Sequence, residues 1–253
     1  MKKVLALFLI ITLFWSCGED LDDNISTQAN VNFSLTHSFG DTEVTLDNFT
    51  DLDLTNANGE ILNIERIRYL ISRIELVKPD GVSYRLKDYN FTDLSDNSSY
   101  SFNGDISIPS GVYTLRLVWG FNEEDNIDAA YTDLNTASWN WPSMLGGGYH
   151  FLQFDGKYNV NTASPSPFNY HNGTAKKLDG TLEQNFATIE LPTAIFVENT
   201  TSIELKFDIS ELFKNPNVWD LNVLDTPLMP NYDAQKMMQA NVQSVFSIGE
   251  ISN

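Results

Sequence analysis

Three histidines, His37, His150 and His171, and two tryptophans two residues apart, Trp139 and Trp141, are the side chains of this chain best suited to chemistry. Imidazole is a borderline ligand that suits copper, and two imidazoles can hold linear Cu(I) without a thiolate. A thiolate pair is not on offer: Cys17 is the single cysteine, which also rules out an intrachain disulfide. Taken one by one, each histidine reads as an ordinary loop or strand residue. His37 and His171 lie far apart in sequence, so only the fold can join them.

The stretch 138–173 concentrates these residues. It holds two of the five tryptophans, two of the three histidines and the run Gly146, Gly147, Gly148. A plain strand needs none of this, whereas a built pocket does, with Trp139, Trp141 and Tyr149 lining it. His150 falls inside a short apolar strand with Tyr149 and Phe151 on the other face, which makes it a third ligand candidate. Trp139 and Trp141 share a face by the period of two. Exposed, they form a stacking platform for a glycan; buried, they are core. Both readings stand at this level.

Enzyme signatures are missing. There is no zincin motif, and Gly146–Gly148 lacks the lysine that would make a phosphate loop. Asp125, Asp128, Asp133, Asp155 and Glu183 form no spaced pair in an apolar setting, as acid–base work would prefer. The expectation is a binding protein, not an enzyme. The acidic loop 122–128 offers oxygen ligands for Ca²⁺, without the EF-hand spacing. A formal net charge of −19 disfavours nucleic acid and anionic membrane surfaces and attracts cations.

Three segments position these residues. Residues 1–17 combine Met1, Lys2 and Lys3 with an apolar run to Trp15 and then Ser16 and Cys17, a secretory signal whose end resembles a lipobox with Cys17 as the lipidated residue. Residues 18–29 are acidic and poor in apolar side chains, a flexible tether. The expected location is therefore the outer membrane, as a lipoprotein facing the cell surface or periplasm and touching membrane through its anchor alone. Residues 30–253 carry no linker and no internal repeat, and read as one monomeric domain.

Within that domain, short alternating runs separated by turns at regular spacing predict an all-β single sandwich of Ig-like or Greek-key type. Residues 112–120 alternate cleanly, and the register burying Tyr113, Leu115, Leu117 and Trp119 removes more apolar area from water. Residues 61–77 are ambiguous: Ile64, Ile67, Leu70, Ile71 and Ile74 fit a helical stripe, yet a strand through Val77 followed by the Pro79-Asp80-Gly81 turn fits too. The expectation is a short helical or irregular entry near Ile64 to Ile67, then a strand through Val77. A long polar excursion, 121–139, should carry a short helix near 127–134. Residues 233–245 are the best helix candidate, with Met237, Met238, Val242 and Val245 on one face.

Three separated features together resemble a known family. They are the run from Tyr69 to Leu76 before a glycine turn, the segment Ile108-Pro109-Ser110-Gly111-Val112-Tyr113, and the path from Trp139-Asn140-Trp141 through Gly148-Tyr149-His150-Phe151 to Phe168-Asn169-Tyr170-His171-Asn172-Gly173. Their order and spacing resemble the MbnP-like family of periplasmic or surface copper-binding proteins, including many Bacteroidetes lipoproteins. The resemblance implies a β-sandwich that binds Cu(I) through two histidines. It also implies a nearby tryptophan oxidised to kynurenine by a dihaem peroxidase-type partner. Carried onto this chain it names His37 and His171 as ligands and Trp141, or else Trp139, as the oxidised residue. The chain departs from the pattern in lacking a tryptophan soon after His37.

Overall fold

The computed structural model describes residues 27–253. The signal segment, Cys17 and most of the acidic tether lie outside the described residues. The first strand begins at Gln28, so the last two residues assigned to the tether belong to the domain.

Two sheets, of six and eight strands, face each other across one apolar core. The strands used below are β1 (Gln28–Phe39), β2 (Thr42–Val44), β3 (Arg66–Val77), β4 (Ser83–Asp93), β5 (Gly111–Trp119), β6 (Leu152–Tyr158), β7 (Ser166–Asn172), β8 (Ala187–Val197), β9 (Thr200–Asp208) and β10 (Phe246–Ser252). In the smaller sheet β1 lies between β9, parallel to it, and β2. In the larger sheet β3 pairs with β4 along one edge. Its other edge is shared by β6 at residues 66–69 and β5 at residues 71–77, and β7 pairs with β6. The all-β sandwich expected from the sequence is present.

The strand β5 buries Tyr113, Leu115, Leu117 and Trp119, the register that removes more apolar surface. The ambiguity at residues 61–77 has a physical source. Residue Arg73 adopts φ 47° at a register shift, a bulge that turns Ile74 and Leu76 inward although Tyr69 and Ile71 were inward before it. Leu70 is buried on the opposite face, under the excursion between β5 and β6. A bulged strand covered on both faces produces an apolar spacing that imitates a helix.

That excursion packs on the outer face of the larger sheet. It carries the helix α1 (Thr132–Thr136), and its Phe121, Leu134 and Trp139 form a second small core with Leu70 and Tyr149. The predicted helix near the C-terminus is α2 (Tyr232–Asn241), capped by the Asn231 side chain on the Ala234 amide with Asp233 in its first turn. The chain does not end there: β10 returns to pair antiparallel with β9.

Candidate metal centre

Period-two alternation along β6 and β7 decides which side chains meet. Tyr170 and Asn172 point into the sandwich, where Tyr170 Oη donates to the Leu212 carbonyl and Asn172 Oδ1 accepts from Trp119 Nε1. His171, between them, therefore points outward. Cross-strand register then lays two rows over the outer face: Arg68, Gln153 and His171, and beside it Arg66, Asp155 and Asn169.

The chain enters β6 through residues that place His150 against that face. Gly146, Gly147 and Gly148 all have positive φ (114°, 68° and 77°), a path that only glycine follows at low cost. Asp128 and Asn126 accept from the Gly148 and Tyr149 amides and fasten this turn. The main chain of His150 then donates to the Trp139 carbonyl at 2.9 Å. The rings of His150 and His171 lie 5.4 Å apart at 81°, with Trp141 4.9 Å and Trp139 5.4 Å from His150.

Both imidazoles are oriented from behind. His150 Nδ1 lies 3.1 Å from the Trp139 carbonyl, which can only accept, so Nδ1 holds the proton. His171 Nε2 lies 2.8 Å from Asp155 Oδ1. Asp155 is itself held by Asn169 Nδ2 at 2.6 Å and by Arg66 Nε at 2.7 Å. Burial pushes the Asp155 carboxyl up, but the bonds from His171 and Asn169 and the Arg66 charge outweigh it, so the group stays well below the usual range. It is a carboxylate acceptor, and Nε2 donates to it. Among the described residues His150 Nε2 and His171 Nδ1 take no hydrogen-bond partner. Burial, then the neighbouring His171, lower the His150 pKa to about 3, so this imidazole is neutral at physiological pH.

His37 is elsewhere. It lies on the inward face of β1 in the other sheet, with Nε2 3.0 Å from Tyr69 Oη and its ring 4.9 Å from Tyr100. Tyr69 is an inward residue of β3, so the full thickness of the larger sheet separates His37 from the outward His171. The structure joins His150 with His171 and does not join His37 to either.

The paired-tryptophan platform is corrected by burial. Trp139 is 0% and Trp141 2% exposed, with Trp141 Nε1 donating to the Leu145 carbonyl, so neither indole offers a face to a sugar. Exposing them would forfeit roughly 2–3 kcal/mol each. Tyr149 sits in the second core, where its hydroxyl bonds the Tyr131 amide and Asn135, and it braces the excursion more than it lines the pair. The Ca²⁺ reading of the loop 122–128 is also corrected. Arg73 takes Asp125 and Glu124, each at 2.6 Å, while Asp128 and Asn126 hold backbone amides. These oxygens are spent on the bulge and the glycine turn.

Sequence reading missed Asp155 as a partner of His171, and missed Gln235. That fully buried side chain of α2 donates to the His171 carbonyl at 2.7 Å and accepts from the Gly173 amide and Asn172 Nδ2, each at 3.1 Å. Strand parity could have flagged Asp155, two residues from Gln153 on the same face. Nothing local could have flagged Gln235. Among the described residues no three His, Cys, Asp or Glu side chains group closely enough to hold a metal.

The family model described as MbnP matches residues 28–247. In structure the chain is similar to MbnP from Methylosinus trichosporium, at 14% identity and a TM-score of 0.55, over 88% of this chain and 99% of that one. At that identity the likeness speaks to the fold. No curated protein matches.

Proposed function

The chain belongs to the MbnP family, and from that premise we propose that it is an extracytoplasmic copper-binding protein that takes Cu(I) as cargo between His150 and His171. One observation carries this reading. Each imidazole has one nitrogen occupied by an acceptor and the other free, the arrangement in which a metal-ligating histidine is oriented by its outer partner. Two imidazoles with no third protein ligand suit monovalent, low-coordinate copper better than zinc, which takes three or four protein ligands. Trp139 and Trp141 wall the pair with apolar surface, which limits water at the site.

His37 is left out of this ligand pair. Its buried, desolvated position and its bond to Tyr69 support a structural role.

The family resemblance extends the proposal to Trp141 as the tryptophan oxidised by a dihaem partner, since its ring borders His150. An altered mass confined to the peptide holding Trp141, in protein isolated from its native membranes, tests that extension. Anchoring through Cys17 is tested by whether Cys17→Ser moves the protein from the membrane fraction to the soluble one.

The copper reading is tested by competing the protein against a chromophoric Cu(I) chelator, beside His150→Ala, His171→Ala and His37→Ala. One equivalent bound by wild type and by His37→Ala, and lost in the other two, is the expected result. Retention by both His150→Ala and His171→Ala would sink it.

A further inference from the structure

The face that holds the histidine pair also holds a positive charge with no ion-pair partner, on which the Asp93 and Asp155 carboxylates act only at longer range. Arg66 is paired with Asp155. Arg68 is not paired: Nη1 donates to the Ala137 carbonyl at 3.1 Å, Nη2 donates to Gln153 Oε1, and the guanidinium lies 5.3 Å over the Trp139 ring and 5.9 Å over Phe91. Every one of these partners is neutral, and among the described residues no carboxylate forms an ion pair with Arg68. Arginine stays protonated under all physiological conditions. Its place is fixed by register, since Arg68, Gln153 and His171 stand side by side on β3, β6 and β7.

We propose that Arg68 sets the charge selectivity of the His150/His171 site, rejecting divalent cations in favour of monovalent copper. The proposal rests on the copper reading above. A protein carrying −19 draws divalent cations to its whole surface, so a site meant for Cu(I) needs a local opposing charge. Two strand spacings put Arg68 roughly 10 Å from His171. At an effective dielectric of about 20, a fixed unit charge at that distance weighs about tenfold against each unit of cation charge. Cu(I) thus loses about tenfold and a divalent ion about a hundredfold, a net preference of about ten.

The design separates charge from packing, because Arg68 also covers Trp139. Wild type, Arg68→Met, Arg68→Lys and Gln153→Glu would be titrated with Cu(I) by chelator competition and with Zn²⁺ by a chromophoric indicator. The reduction potential of each copper-loaded protein would be recorded as well. Arg68→Met should raise the Zn²⁺-to-Cu(I) affinity ratio about tenfold, and the potential should fall by about 59 mV, the one-electron equivalent of tenfold. Gln153→Glu, which keeps the guanidinium but neutralises it, should move both in the same direction, while Arg68→Lys should leave both near wild type. An unchanged ratio in Arg68→Met and Gln153→Glu, with wild type binding Cu(I), overturns the role of Arg68 alone. So does a lysine variant that behaves like methionine. Wild type that binds no Cu(I) takes down the copper reading and this inference together.

Discussion

His171 and Asp155 stand diagonally across β7 and β6 with Nε2 2.8 Å from Oδ1, and Asp155 is held in turn by Asn169 and Arg66. The carboxylate occupies Nε2 and leaves Nδ1 as the unpartnered nitrogen of the ring. Outer partners of this kind change metal affinity by about 10–100-fold when removed. Asp155→Ala should therefore weaken Cu(I) binding by that factor, with Asp155→Asn in between because its amide oxygen still accepts. Equal affinity in wild type and Asp155→Ala, by chelator competition, would show that the pair needs no such partner.

His37 and His150 make stability depend on pH. Burial lowers the His37 pKa to about 4, and burial first, then the neighbouring His171, lowers that of His150 to about 3, against 6.5 unfolded. Below pH 6.5 the unfolded chain takes up protons that the folded chain refuses, so stability falls as pH drops from 6.5 toward 4. The slope is roughly 1.4 kcal/mol per pH unit for each histidine. Urea unfolding of the apo protein across that window should show about two protons of dependence, and His37→Phe should remove one.

Gly173 leaves room for an indole. A Cβ added there would lie 2.5 Å from the Trp141 ring, so the larger side chain must move. Gly173→Ala should cost about 1–3 kcal/mol by overpacking and shift the tryptophan fluorescence, with weaker Cu(I) binding as Trp141 displaces His150. A variant crystal structure with Trp141 unmoved would refute this.

Gln235 ties α2 to the strand that carries His171. Gln235→Leu keeps the volume but orphans the His171 carbonyl, the Gly173 amide and the Asn172 side chain, each buried or nearly so. Leaving such groups unpaired costs about 1–3 kcal/mol apiece. The expected loss is about 3 kcal/mol in urea unfolding, with faster amide exchange at Gly173.

How much of this was legible in the chain varies with the range of the interaction. Period-two alternation was enough to orient β5, because one buried face decides the register of a strand. It failed at β3, where the bulge at Arg73 and the second apolar layer over Leu70 erase the alternation. The concentration of histidine and tryptophan in 138–173 marked a segment whose His150, His171, Trp139 and Trp141 do come together, and the MbnP resemblance covered nearly the whole described domain. By itself, then, the sequence determined the fold class and singled out the segment on which the proposed site is built. Only the tertiary structure decided which histidines meet. His37 and His171 each alternate correctly on their own strands, but parity says only which side of a sheet a residue occupies. Which sheet, which neighbour and which layer covers it are set by pairing between distant segments. That pairing turned His37 inward onto Tyr69, set His171 beside His150 and left Arg68 without an ion-pair partner next to them.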